Sequence, residues 1–290
     1  MATSNDQGEG KYFIDAESTA ETARLMYQDR LTTEQMSGVL HEHSLEKIST
    51  LRSVLDLACG PGGWVVDLAY ASPNAQIVGV DISKNNISYA QSQARAQGLD
   101  NARFQVMDIL KPLDFPDNSF DLINARLLFS FMPKHAWVPL AQECQRILRP
   151  GGILRMTEMS DGSTNSLACN QLNAQVTKAL FLTGRSFSPD GQTTGIAPML
   201  GRFLLDANYV SLSKAAYAVD ASAGMDAHWQ FYQNYKVLYR LLKPFLLQMK
   251  VTTSEEFESL YEQALEDIES DTFCAMNFIL TVWGEKPGQE

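Results

Sequence analysis

Four cysteines in 290 residues, Cys59, Cys144, Cys169 and Cys274, form no C-x-x-C pair and fall at no metal-ligand spacing. No structural metal is therefore expected, and unpaired thiols point to a reducing compartment. Long apolar runs are also missing: none approaches the ~20 residues that span a bilayer. The first ten residues lack a basic stretch leading into an apolar core, so no secretory leader is read there and the expected location is cytoplasmic. Basic charge is scarce, with 23 Lys and Arg against 34 Asp and Glu for a net charge of −11. That field repels a phosphate backbone and disfavours DNA or RNA as a partner. Low-complexity segments and internal repeats are absent, while a hydrophobic content of 45% is ample for a large core.

What is present is concentrated in two stretches. Val54-Leu-Asp-Leu-Ala-Cys-Gly-Pro-Gly-Gly63 is an apolar strand running into a tight glycine turn that opens a helix. Gln76-Ile-Val-Gly-Val-Asp-Ile-Ser83 is a second apolar strand ending on an acid, Asp81, 21 residues after Gly60. This is the plan of a nucleoside-binding βαβ unit, in which glycines admit a ligand close to the backbone and the acid accepts from ribose hydroxyls. The dinucleotide pattern G-x-G-x-x-G would need a third glycine at position 65, where Val65 stands.

Periodicity predicts strands at 53–57, 76–80, 103–107, 120–124 and 153–158, separated by helices at 62–71, 84–97 and after Pro133. Ser83 and Gly98 mark the ends of the second helix. Trp137, Leu140, Ala141, Cys144, Ile147 and Leu148 form the apolar face of the third, which Arg149-Pro-Gly-Gly152 stops. Such alternation implies parallel strands with right-handed crossovers. Ahead of it, pairs of capping residues (Ser18 with Glu21, Thr32 with Gln35) predict helices at about 18–30 and 33–49. After Glu158 the pattern changes to helices at about 165–182, 198–208, 226–249 and 254–269, with strands at about 209–218 and 275–283. The expected organisation is a disordered tail at 1–10, a helical lid at 11–52, a nucleoside-binding core at 53–159 and a cap insertion at 160–195. Core returns at 196–223, a second helical cap insertion covers 224–270, and the last strand and tail occupy 271–290.

Asp56, Gly60, Gly62 and Gly63 in the form D-x-x-x-G-x-G-G resemble motif I of the class I S-adenosylmethionine-dependent methyltransferases. Three further segments resemble that family in the same register: Val106-Met107-Asp108-Ile109, Leu113 to Ile123, and Arg146-Ile-Leu-Arg-Pro-Gly-Gly-Ile-Leu154. The closest branch is that of small-molecule enzymes similar to ubiquinone and menaquinone methyltransferases, and the likeness covers residues 53–158. It implies an α/β, Rossmann-like, seven-stranded, mostly parallel sheet of order 3-2-1-4-5-7-6 with helices on both faces, plus the N-terminal helices and helical cap insertions. It also implies S-adenosyl-L-methionine as cofactor and a small-molecule substrate, with no nucleic-acid or membrane partner, and is compatible with a homo-oligomer.

Carried over position by position, the resemblance makes Asp56, Ala58, Gly60 and Gly62 the glycine-loop contacts to the cofactor. Asp81 is assigned to the ribose and Ile82 to the adenine face. Asp108, flanked by Met107 and Ile109, is assigned to the adenine edge, and Asn124 and Ala125 to the methionyl end; Arg126 is a candidate for a carboxylate there, with pairing to a surface acid as the alternative. Methyl transfer is an in-line displacement to which a protein contributes mainly alignment and exclusion of water. A general base is not singled out: His41, His43, His228 and Glu158 are the candidates, and a readily ionised or electron-rich acceptor needs none. Tyr12, Tyr27, Phe129, Tyr232 and Tyr235 are candidates for the substrate pocket. For the stripe containing Tyr232 and Tyr235 the alternative is the apolar core of a cap. The readings that stay open beside a small-molecule methyltransferase are a protein methyltransferase and a cofactor-binding protein that transfers no methyl group.

Overall fold

The computed structural model describes residues 13–288. Its centre is a seven-stranded sheet of order β3-β2-β1-β4-β5-β7-β6. β1 (Ser53–Leu57), β2 (Gln76–Asp81), β3 (Ala102–Val106), β4 (Phe120–Arg126) and β5 (Leu148–Thr164) run parallel. β7 (Ala275–Glu285) runs antiparallel between β5 and β6 (Val210–Asp220). The expected order and the single reversed strand are thus both present.

The period-2 alternation of the strands sorts their side chains onto two faces. Leu55, Leu57, Ile123, Ala125, Leu154 and Met156 pack against α5 (Trp137–Ile147) and α7 (Leu200–Asp206). Val54, Ile77, Leu122 and Ile153 pack against α3 (Gly63–Ala71) and α4 (Lys84–Ala96). A separate hydrophobic cluster joins α6 (Leu167–Leu182), α8 (His228–Gln248) and α9 (Ser254–Glu269) around Cys169, Tyr235, Leu246, Phe257 and Ile268. A capping box opens α9, with the Thr253 hydroxyl accepting from Glu256 N–H at 3.2 Å.

Two expectations are corrected. Instead of helices at 18–30 and 33–49 there is one helix, α1 (Thr19–Gln35), followed by a turn and the short α2 (Leu45–Thr50). Thr32 caps nothing, because its hydroxyl donates to the Gln28 carbonyl at 2.7 Å inside α1. Glu21 is likewise drawn away from a capping role into a buried pair with Arg24 at 2.6 Å. The break comes at Ser37 and Gly38, both with positive φ. His41 and His43 therefore lie on a loop rather than on a helix.

β5 is also far longer than the predicted 153–158. The antiparallel partner β7 carries its ladder out to Ser163 opposite Met276 and Thr164 opposite Ala275. Polar Ser160, Asp161 and Gly162 hide that extension from a hydrophobic pattern, since backbone pairing alone sustains it.

Candidate active site

The glycine turn leaves β1 through Ala58, whose φ of 51° is left-handed, and Gly60 and Gly62 follow at 54° and 84°. A Cβ on Gly62 would lie 2.6 Å from the Phe104 ring and 2.7 Å from the Ala90 methyl, so only glycine fits there. The turn is pinned to β2: Cys59 N–H donates to the Val80 carbonyl at 2.9 Å and Gly60 N–H to Asp81 Oδ2 at 2.9 Å. Gly79 in β2 makes room for it, since a Cβ there would meet Cys59 Sγ at 2.8 Å. Leu127, just past the tip of β4, is a second non-glycine residue in the left-handed region, with φ 57°. Strained backbone at two neighbouring strand tips is characteristic of a binding site.

Asp81 also accepts from Ser83 N–H at 2.8 Å. Burial raises its pKa, while the two backbone donors oppose that shift. Ser83 Oγ in turn accepts from Asn86 N–H at 3.1 Å and caps α4. Ile82, directly after Asp81, is 58% exposed, so an isoleucine stands bare at a strand tip. Across from it, Met107 N–H donates to the Asp81 carbonyl at 2.9 Å and ties the β3 tip to the β2 tip. Asp108 accepts from Leu110 N–H at 3.0 Å and pairs with Lys111 at 3.3 Å, and Ile109 is buried.

A polar row crosses the sheet beneath the tips. Asp56 lies in register with Asn124, and Asn124 with Arg155. Asn124 Nδ2 donates to Asp56 Oδ1 at 2.7 Å, and Arg155 Nη1 donates to Asn124 Oδ1 at 2.7 Å. The buried Arg155 guanidinium is neutralised by an ion pair with Glu42, whose other oxygen accepts from Tyr217 Oη at 3.4 Å. Among the described residues Asp56 has no ion pair of its own. Burial pushes its carboxyl up to about 7, with Arg126 and the Asn124 amide holding it down and Asp29 pushing it further up.

Arg126 ends β4 on the same face. It is ion-paired with Asp29 of α1, and its Nη1 donates to Thr33 Oγ1 at 3.1 Å. α1 is fastened at its start as well, where Glu17 accepts from Lys84 N–H at 2.9 Å and Asn85 N–H at 3.1 Å at the head of α4. A groove of about 340 Å³ runs beside the glycine turn, lined by Met26, Asp29, Pro61, Gly63 and Tyr89 among others.

A family model for the methyltransferase domain matches residues 48–197. The chain belongs to this methyltransferase family. The demethylmenaquinone methyltransferase of Geobacillus stearothermophilus is 32% identical over 110 residues, which are 38% of this chain and 46% of that protein. The chain thus spans about half the length of the curated relatives it matches. Among solved structures, the YcgJ protein of Bacillus subtilis superposes with a TM-score of 0.51 at 17% identity, over 84% of this chain and 96% of that one. The cyclase SpnF superposes with a TM-score of 0.50 at 19% identity, over 98% of this chain and 89% of that one.

Within this methyltransferase fold the assigned cofactor positions converge: Asp56, Ala58, Gly60, Gly62, Asp81, Ile82, Met107, Asp108, Ile109, Asn124, Ala125 and Arg126 all lie on or just past the tips of β1 to β4. Of the base candidates, only Glu158 comes near them. His43 packs edge-on against Trp283 of β7, with ring centroids 5.3 Å apart, and burial lowers its pKa. His228 Nδ1 lies 3.0 Å from the Ala221 carbonyl, fastening α8 to the end of β6, and His41 is exposed on its loop. Glu158 is buried beside the β4 tip, where its Oε1 accepts from Leu128 N–H at 2.7 Å and Phe129 N–H at 3.2 Å; burial drives its pKa well up.

Of the substrate candidates, Phe129 sits on the turn that Glu158 holds, and Tyr27 is exposed on α1. Tyr232 and Tyr235 are buried in the α6–α8–α9 cluster, Tyr232 donating to Glu269 at 2.5 Å and Tyr235 stacking on Tyr239 at 4.2 Å. Their side chains serve the core of that cluster. Tyr12 and the tail at 1–10 lie outside the described residues. Asp29, Glu17, Arg155 and Glu42 are the site residues that sequence reasoning missed. Only Arg155 carried a signal, as a charge inside the apolar strand Ile153-Leu-Arg-Met156.

No group of three or more His, Cys, Asp or Glu among the described residues is arranged to hold a metal ion. No helix among them is long and apolar enough to cross a membrane.

Proposed function

We propose that the protein is an S-adenosylmethionine-dependent methyltransferase acting on a small, apolar or aromatic metabolite. The observation that carries this reading is the convergence of glycine turn, two buried acids and one bare isoleucine at adjoining strand tips of a methyltransferase-family sheet. The donor set fits the cofactor. Ile82 offers an apolar face to adenine, Asp81 retains lone pairs for ribose hydroxyls, and Asp56 is a buried acid whose surplus suits an ammonium group. The cofactor, when bound, supplies an electrophilic methyl group on a positive sulfur.

The chain's own residues bind, orient and exclude water. Asn124 holds Asp56 at 2.7 Å, and the Arg155–Glu42 pair fixes Asn124 from behind. Glu158 holds the turn carrying Phe129, one of the substrate candidates. The contacts of His43 and His228 are to β7 and to the end of β6, which favours an acceptor that ionises readily or reacts through an electron-rich carbon. The net charge of −11 supports a substrate other than nucleic acid.

The test is turnover: labelled S-adenosylmethionine is incubated with the protein and a panel of quinols, phenols and polyketide-like acceptors, and S-adenosylhomocysteine is measured. The reading expects acceptor-dependent release. Binding of the cofactor with no release for any small acceptor, but labelling of lysate protein, would move the function to a protein substrate. A second reading, in which the bound sulfonium compound is not consumed, has one observation in its favour: the fold shared with the cyclase SpnF extends over nearly the whole chain.

A further inference from the structure

Three residues of α1 spaced by one helical turn lie along the glycine turn and the β4 tip. Leu25 Cδ1 is 3.8 Å from where a Cβ on Gly60 would stand, and such a Cβ on Gly63 would collide with the Asp29 carboxylate. Thr33 accepts from Arg126 at 3.1 Å, beside the ion pair that Arg126 makes with Asp29. This pair is well shielded, with the Arg126 side chain 11% and Asp29 18% exposed. Two carboxylates, Asp29 and Asp56, therefore face one guanidinium. The nearby Arg155 is committed to Glu42 and Asn124, and its pull on Asp56 is weaker than that of Arg126.

The imbalance matters for the tail of the proposed cofactor, on which this inference rests. That tail is zwitterionic: its ammonium group answers the charge of Asp56, and its carboxylate needs a cation. Arg126 is the cation at the tip, and it already holds a carboxylate. We propose that Asp29 is an internal competitor for the methionyl carboxylate at Arg126, so that the tail docks by displacing the middle of α1 from the β4 tip. α1 is also tied to α8, through Arg24 Nη1 donating to Asn234 at 3.1 Å and Gln230 donating to Glu34 at 3.0 Å. Recognition of the tail is thereby passed to the helices over the sheet, and an adenosyl compound without the tail leaves Asp29 in place.

The experiment compares, by calorimetry, S-adenosylhomocysteine with 5′-methylthioadenosine, which lacks the amino-acid tail. Asp29→Asn and Asp29→Ala should each tighten S-adenosylhomocysteine by about five- to tenfold, the worth of one partly shielded ion pair. Arg126→Gln should weaken it by at least about tenfold, as expected for loss of a charged hydrogen bond. The affinity for 5′-methylthioadenosine should stay at the wild-type value in all three, which also reports that the adenosyl site is folded. Unchanged or weaker S-adenosylhomocysteine binding in both Asp29 variants, or no effect of Arg126→Gln, overturns the competitor role and leaves the cofactor reading standing. Wild-type protein that binds neither compound overturns both.

Discussion

Asp56→Asn should stabilise the protein at alkaline pH while impairing the site. Asp56 is 3% exposed and its carboxyl is pushed from 3.8 up to about 7. At pH 8 the folded protein carries that group as a buried anion. A shift of about three units corresponds to about 4 kcal/mol against folding, at 1.36 kcal/mol per unit. Asparagine removes the charge and still accepts from Asn124 through its carbonyl, but its own amide hydrogens lack an acceptor, which costs about 1–3 kcal/mol. The net gain at pH 8 is therefore about 1–3 kcal/mol. The sign of the pH dependence follows from the raised pKa: the contribution of Asp56 is fully favourable below pH 3.8 and is lost as pH rises through about 7. The advantage of the variant should thus shrink by roughly 2.6 kcal/mol between pH 8 and pH 5. Urea unfolding at several pH values measures this directly. A variant less stable than wild type at pH 8, or a difference that does not change with pH, would refute the assignment of a destabilising buried charge. The same variant should bind S-adenosylhomocysteine about tenfold or more weakly, because an amide cannot neutralise an ammonium group.

Asp81→Ala should weaken S-adenosylhomocysteine about ten- to hundredfold by calorimetry, since it removes the ribose acceptor and frees Gly60 N–H from its 2.9 Å bond. Gly62→Ala should lower stability by about 2–4 kcal/mol in thermal melts, because the added methyl meets Phe104 and Ala90 at a left-handed backbone. Arg155→Met should cost about 3–5 kcal/mol in urea unfolding by stranding Glu42, and Glu42→Gln combined with it should recover part of that loss. Acceptor-dependent turnover should survive His41→Ala, because that side chain is exposed on its loop.

The sheet was legible because its strands are short apolar runs punctuated by glycine turns and strand-end acids, and each of those devices is local in sequence. Order 3-2-1-4-5-7-6 followed from family resemblance rather than from periodicity. The N-terminal helices were misread because Thr32 has capping chemistry but sits mid-helix, where its hydroxyl satisfies Gln28 instead. The length of β5 was hidden because its outer half depends on a partner, β7, more than a hundred residues away. Similarly, Asp29, Glu17 and Glu42 matter only through contacts with Arg126, the head of α4 and Arg155, all of them distant in the chain. No local pattern marks such residues.

The most direct measurement is a crystal structure with S-adenosylhomocysteine bound. Adenosine should lie against Ile82 and Ile109 with its ribose hydroxyls on Asp81, and the tail should lie between Asp56 and Arg126. Density instead in the groove of about 450 Å³ lined by Ala20, Lys236, Arg240 and Tyr261, between α1, α8 and α9, would contradict a cofactor site at the strand tips.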